Sequence, residues 1–412
     1  MGVSQATWAD VLSRVIDESH LVTGEQLSAM TNRAVQPLGL TAEVLIVDLA
    51  QHELLPIRPG PSTSIAVEGT VAGRAFQLGE IQAGTDERGR RQLWVPMLDG
   101  TDRVGVARFG LMPDVVDDRE LWRRCWTLAG LLGHITVAKM PYSERLRWLR
   151  GNGPLTPAAE LLWQFLPPRT FATEGLVVTA LLEPYDRVAG DAYDYSVNTD
   201  DAYLAVFDGI GHDLQAGQTT ALAVTAVRHG RREGLTDLAA LATSADDLLI
   251  AQPGPLRFVT AVLATLDTRT GLLHYLLAGH PPPLLLRAGR TIKELGVAPR
   301  PPLGIRPASV SQPVIGREQL EPGDRILLYS DGVTEARDGD GEFFGEQRLI
   351  DFAERVELDG LPAPETLRRL AAAILAHQHG MLQDDATLLM ADWSANTHER
   401  FFPRLDRITT RE

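Results

Sequence analysis

The sequence predicts an α+β chain of more than one domain, and three observations carry that prediction. Strand-like apolar runs come in groups, with helical patterns gathered between the groups instead of alternating one for one as in a βαβ repeat. Several runs are parted by only a turn, as at 267–271 and 278–282, which demands antiparallel neighbours. A length of 412 residues also exceeds what one hydrophobic core usually serves.

The first section, to about residue 112, is α+β. Thr23 and Gln26 form a capping-box pattern that opens a helix running to about Val35. Strands are expected at 42–49, 91–96 and 104–109, with Asp99-Gly100 as the hairpin turn between the last two. The segment from Glu68 to Phe76 starts with turn residues and continues as a short helix. No cluster of acids, His or Cys marks this section as catalytic.

From 117 to 138 the pattern is helical, with Asp117, Asp118 and Glu120 at the positive end of the dipole. Trp122, Trp126, Ala129 and Gly133 share one face, which suits either a solvated linker or a dimerising helix. Pro141 interrupts, a second helix covers 143–150, and Thr156 with Pro157 opens a third that runs to Phe165. Beyond Phe171 strands are expected at 177–182, 203–207, 258–266, 272–277, 283–287, 325–329 and 386–391. Helices are expected at 216–233, 237–251, 346–356 and 363–378.

Composition narrows the function. Hydrophobic residues make up 44% and charged residues 23%, so the chain can bury cores. A net charge of −15 disfavours nucleic acid and anionic membranes as partners. Lys139 and Lys293 are the only lysines and neither lies in a Gly-rich loop, which excludes a P-loop. The single cysteine, Cys125, excludes an intrachain disulfide and a Cys-x-x-Cys zinc site. The N-terminus lacks the order of a signal peptide and the longest apolar stretch is far too short to span a bilayer, so a cytoplasmic location is expected.

Four acidic positions share one setting. Asp191 follows Gly190 after the 177–182 strand. Asp208 ends a strand and precedes Gly209. Asp331 ends a strand and precedes Gly332. Asp384 and Asp385 stand just before the last strand. A lone Asp-Gly at a strand end is usually a turn. Four in one section can meet at a sheet rim, and carboxylates gathered without a cation repel. An oxygen-only set suits Mg²⁺ or Mn²⁺. Two such ions can acidify a shared water and neutralise phosphoryl oxygens, so the chemistry indicated is phosphoester hydrolysis by direct attack of water. Spacing alone leaves a metal-dependent nuclease or cyclase open, and the acidic surface argues against the nuclease. Taken singly, His212 and His280 are more at home as structural residues.

At these residues the chain resembles a known family. The segments from Ala158 to Pro168, Val188-Ala-Gly-Asp-Ala-Tyr-Asp194, Phe207-Asp-Gly-Ile-Gly-His212, Ala278-Gly-His-Pro-Pro282, Pro302-Leu-Gly304, Tyr329-Ser-Asp-Gly-Val-Thr-Glu-Ala336, Phe344-Gly345 and Asp384-Asp-Ala-Thr387 occur in the order seen in bacterial PPM-type (protein phosphatase 2C-like) serine phosphatases of the sporulation and sigma-factor-regulating subgroup. The resemblance implies an αββα sandwich of two antiparallel sheets with a two-metal site at one edge. It implies Asp191, Asp208, the Gly209 carbonyl, Asp331 and Asp384 as ligands of two Mn²⁺ or Mg²⁺ ions. Asp385 takes the second place of the paired acids, and Asp194 matches a recurrent acid near the site. Two departures stand out: Ala189 where the family commonly has Gly, and Asp213 where it commonly has Gly.

More loosely, the N-terminal section resembles a GAF-type sensor domain. The organisation expected is therefore a GAF-like domain over 1–115, a helical linker over 116–166 that offers a homodimer contact, a phosphatase domain over 167–395 and a tail over 396–412. The implied function is a metal-dependent serine/threonine phosphatase acting on a phosphorylated anti-sigma factor antagonist. The alternative is a degenerate phosphatase fold that only binds its partner.

Overall fold

The computed structural model describes residues 5–58, 63–152, 156–183, 190–211, 213–306, 312–358, 361–380 and 382–393. His212, residues 188–189 and the tail from 396 to 412, all used in the sequence reading, lie outside them. The described residues divide into two compact units, which part between 152 and 156.

In the first unit, α1 (Gln5–Ser19) and α2 (Leu27–Val35) precede a six-stranded antiparallel sheet. Its strands are β1 (Leu40–Val47), β2 (Glu53–Pro56), β3 (Ile65–Ala66), β4 (Gln82–Thr85), β5 (Arg91–Asp99) and β6 (Asp102–Leu111), ordered β3-β2-β1-β6-β5-β4. The Thr23 amide donates to Gln26 Oε1 at 3.0 Å, so the capping pattern forms at the entry to α2. Asp99 pairs with Asp102 across the expected hairpin. Helix α3 (Val71–Leu78) is capped by the Thr70 hydroxyl, which accepts from the Gly73 amide.

The stretch read as a connector falls into both units. Helix α4 (Arg119–Lys139) and α5 (Glu144–Gly151) lie in the first, and α6 (Pro157–Phe165) in the second. On α4 part of the face offered for dimerisation is used within its own unit. Cys125, Leu128, Ala129 and Leu132 are buried in the core of that unit, and Trp122 and Trp126 pack at its edge. A side chain at Gly133 would strike the Leu98 backbone of β5, so helix and sheet are in close contact there.

The second unit holds two antiparallel sheets. One has the order β15-β12-β11-β10-β9, the other β14-β13-β16-β17-β8-β7. Their strands are β7 (Thr170–Ala172), β8 (Leu176–Glu183), β9 (Ala192–Val197), β10 (Asp201–Gly209), β11 (Val259–Asp267), β12 (Leu272–Ala278), β13 (Leu284–Arg287), β14 (Arg290–Glu294), β15 (Gly316–Gln319), β16 (Asp324–Tyr329) and β17 (Ala386–Trp393). Alternate residues of β8 and β17, such as Val178, Ala180, Leu389 and Ala391, share one core with Leu204, Val206 and Leu263 of the facing sheet. Helices α7 (Leu214–Arg232) and α8 (Leu238–Ile250) cover the outer face of the five-stranded sheet, and their apolar faces join the same core. Helices α10 (Gly345–Leu358) and α11 (Ala363–His377) pack on the six-stranded sheet, and the one-turn α9 (Asp331–Thr334) follows β16. With helices outside and a second sheet inside, both faces of each central strand are dry. That is why β16 and β17 read as unbroken apolar runs. No described helix is long and apolar enough to cross a membrane.

Candidate active site at the strand ends

The acids singled out by sequence sit where strands of the two sheets begin or end. Asp191 immediately precedes β9, Asp208 is the penultimate residue of β10, Asp331 follows β16 at the start of α9, and Asp384 lies two residues before β17. Asp191 is buried and Asp331 half-buried, whereas Asp384 is exposed.

The side chains sense one another. Burial raises Asp191 well above the carboxylate range, and Asp208 and Asp385 push it further. Asp208 is raised to about 7, first by burial, then by Asp331, with Asp384 adding to it. Asp331 is raised by burial and then by Asp384 and Glu335. Asp191 Oδ2 is buried and has no hydrogen-bond partner.

Asp385 holds the site together. One of its carboxylate oxygens, Oδ2, accepts the Gly190 amide and, at 3.4 Å, the Asp191 amide. The Asp384 carboxylate in turn accepts the Asp385 amide at 2.9 Å. Two glycines allow this close packing. A Cβ on Gly332 would collide with the Asp385 carbonyl, and one on Gly190 would collide with the carbonyls of Gly211 and Gly209. The Gly190 carbonyl accepts the Gly209 amide at 3.2 Å and the Thr220 hydroxyl of α7 at 2.5 Å.

Behind Asp208 lies a pair of which the sequence marked only His280, as structural. The Thr260 hydroxyl donates to Asp208 Oδ2 at 3.4 Å and stands 2.8 Å from His280 Nδ1. His280 is buried, and burial lowers it to about 3, so the ring is neutral at ordinary pH. The Ala278–Pro282 turn carried the only sequence trace of this contact, because Thr260 is one β-branched residue among many in its strand.

Two further acids have structural work. Asp194 is buried and paired with Arg228 at 2.7 Å and Arg231 at 2.6 Å, which ties β9 to α7. Asp213 is the N-cap of α7, where its carboxylate accepts the Ala216 amide at 2.8 Å.

Among the described residues, no group of three or more His, Cys, Asp or Glu side chains has the geometry to hold a metal ion. The chemistry of the donors still fits a hard cation. They are oxygen-only, one buried carboxylate oxygen is unpartnered, and Asp191, Asp208 and Asp331 are each raised by burial and by a neighbouring acid.

Comparison with known proteins finds similarities to the second unit. Residues 198–394 match the family described as stage II sporulation protein E. A curated relative, protein IcfG of Synechocystis sp., is 26% identical over 264 residues. That match covers 57% of this chain but only 40% of the relative. The SiaA-PP2C domain of Pseudomonas aeruginosa is 25% identical with a TM-score of 0.46, over 53% of this chain and 86% of that one. The RsbU and RsbW domains of Rv1364c from Mycobacterium tuberculosis are 28% identical with a TM-score of 0.45, over 54% of this chain and 61% of that one. From residue 198 to residue 394, therefore, this chain is similar to the family described as stage II sporulation protein E.

Proposed function

We propose that the chain is a metal-dependent protein phosphatase that hydrolyses phosphoserine or phosphothreonine in the cytoplasm. Its substrate is a phosphorylated anti-sigma factor antagonist of a partner-switching pathway. The observation that carries this reading is the gathering of these acids at one rim, where burial raises Asp191, Asp208 and Asp331 and a neighbouring acid raises each further: Asp208 acts on Asp191, Asp331 on Asp208 and Asp384 on Asp331. Acids so arranged favour either protons or cations over free charge. The match over 198–394 supports the same reading.

Asp191, Asp208, Asp331, Asp384 and the Gly209 carbonyl would hold two Mn²⁺ or Mg²⁺ ions. When bound, such ions neutralise phosphoryl oxygens and make a water acidic enough to attack phosphorus at neutral pH. The protein's own part is positional. Asp385 fixes the Gly190–Asp191 backbone and thereby aims Asp191, while Thr260 steadies Asp208 Oδ2. Asp208, raised to about 7 by burial, can hold or release a proton near neutral pH.

The N-terminal section, 1–115, acts in this proposal as a GAF-like sensor, a reading supported by its helix-flanked six-stranded sheet. Signal reaches the 167–395 phosphatase domain through the 116–166 helices. The rival reading, a fold that binds without hydrolysis, leans on Asp213, and helix capping accounts for that residue. The decisive experiment is hydrolysis of p-nitrophenyl phosphate and of a phosphorylated anti-sigma factor antagonist with Mn²⁺, against EDTA. Turnover of both that EDTA abolishes is expected; none with any divalent ion overturns the enzyme reading.

A further inference from the structure

A second recess lies at the other end of β10 from Asp208. It is a cavity of about 660 Å³ in the sheet face beside the α7–α8 turn, lined by Tyr195, Tyr203, Arg231, Arg232, Leu235 and Leu241 among others. That volume falls within the range of small-molecule sites. β10 starts there at Asp201 and ends at Gly209, so the two places are separated by the length of the strand.

The wall of this cavity holds donors without acceptors. Tyr203 is 3% exposed and its hydroxyl has no hydrogen-bond partner; Arg231 Nε is likewise buried and unpartnered. The Arg231 guanidinium lies over the Tyr203 ring, 4.0 Å from its centroid. Charge points the same way. Arg228 and Arg231 share the buried Asp194, Asp201 accepts from Asn198, and the exposed Arg232 makes no ion pair among the described residues. The three arginines exceed the two acids of the lining by one. Tyr195, Leu235 and Leu241 give the lining an apolar and aromatic part, beside the polar Ser196, Asn198, Thr236 and Thr265.

We propose that this cavity is a binding site for a small organic acid: an apolar or aromatic body seated against Leu235, Leu241 and Tyr195, with a single carboxylate or phosphate-type head facing Tyr203, Arg231 and Arg232. Arg231 is one-fifth exposed, so a modest swing of its side chain opens the Tyr203 hydroxyl to the head group. The basic residues of the last turn of α7 also offset the helix dipole, but dipole compensation accounts for neither buried unpartnered donor. This site does not depend on the phosphatase reading.

The test titrates the full chain with phenylacetate and phenylphosphonate, and with phenethylamine as the cationic control, by saturation-transfer NMR and calorimetry. Ligands of this size reach millimolar affinity in a fitting site. Either acid is expected to bind, the stronger one fixing the type of head group, and the amine is not. Tyr203→Phe keeps the ring under Arg231 and should weaken binding roughly tenfold; Arg232→Gln should weaken it about threefold. Unchanged thermal midpoints show that both variants are folded. Loss of binding in Tyr203→Phe also separates this cavity from the carboxylate rim, where phenylphosphonate has its other plausible contact. The proposal is overturned if neither acid binds at about 20 mM, if the amine binds as well as the acids, or if Tyr203→Phe binds as the wild type does.

Discussion

Asp385 Oδ2 accepts the backbone amide of Gly190, a residue 195 positions earlier in the chain. The bond stitches the entry to β17 onto the entry to β9, so the two sheets are tied at the rim where the acids gather. A carboxylate is the strong acceptor for such an amide. Here it also raises its neighbour Asp191, so the stitch brings electrostatic strain with it. Asp385→Ala leaves the buried Gly190 amide unpaired and should cost about 1–3 kcal/mol, while Asp385→Asn keeps an oxygen there and should cost less. Urea denaturation of the two variants checks the order; equal stability would mean the bond contributes nothing.

Gly332 is the second fixed point. Its Cα faces the Asp385 carbonyl so closely that a methyl group must displace backbone. Gly332→Ala should therefore destabilise the second unit by about 1–3 kcal/mol, the usual cost of overpacking. It should also disturb Asp331, the adjacent residue. Comparing denaturation midpoints and Mn²⁺ dependence of turnover tests both effects.

Function and stability should pull apart at Asp208. Asparagine removes a charge that burial and Asp331 oppose, so Asp208→Asn should raise the melting temperature in EDTA. The same change should lower phosphatase turnover by about 10²–10⁴, as loss of a group in direct contact with the reaction does. A variant both less stable and fully active would contradict the assignment of Asp208.

The acids also set a pH dependence in EDTA. Asp208 titrates near 7 in the folded protein against 3.8 as its ordinary value, and Asp191 and Asp331 are shifted the same way. The folded state thus binds more protons than the unfolded state above pH 3.8, so stability falls as pH rises through 7. Melting temperature should increase between pH 8 and pH 6, and saturating Mn²⁺ should flatten the trend.

How much of this was legible in the sequence follows from the range of each interaction. Caps and apolar runs are local, so Thr156 and the central strands could be read directly. The four strand-end acids were visible because each stands beside its own strand. β9 was missed because its buried Asp194 makes it look polar, and the arginines that neutralise it lie 34 and 37 residues on. Edge strands β14 and β15 are short and charged and carry no apolar run. Asp385 showed only as the second of two paired acids; its partner Gly190 leads into the other sheet, and no local pattern reports that.

Asp213 gives the sharpest test of whether the chain is an enzyme or a degenerate module. As the residue that departs from the family pattern, it is the one sequence argument for lost catalysis, yet its carboxylate accepts the Ala216 amide and starts α7. The same helix carries Thr220, whose hydroxyl donates to the Gly190 carbonyl beside Asp191. A cap that secures α7 therefore supports the rim instead of spoiling it. Glycine is a tolerable N-cap, so Asp213→Gly should cost only a few tenths of a kcal/mol, and Asp213→Ala about 1 kcal/mol. Turnover of p-nitrophenyl phosphate by Asp213→Gly should stay within about twofold of wild type, since a shift that small in stability leaves the folded fraction unchanged. A gain of tenfold or more would show that the carboxylate suppresses hydrolysis and would move the balance to the binding module.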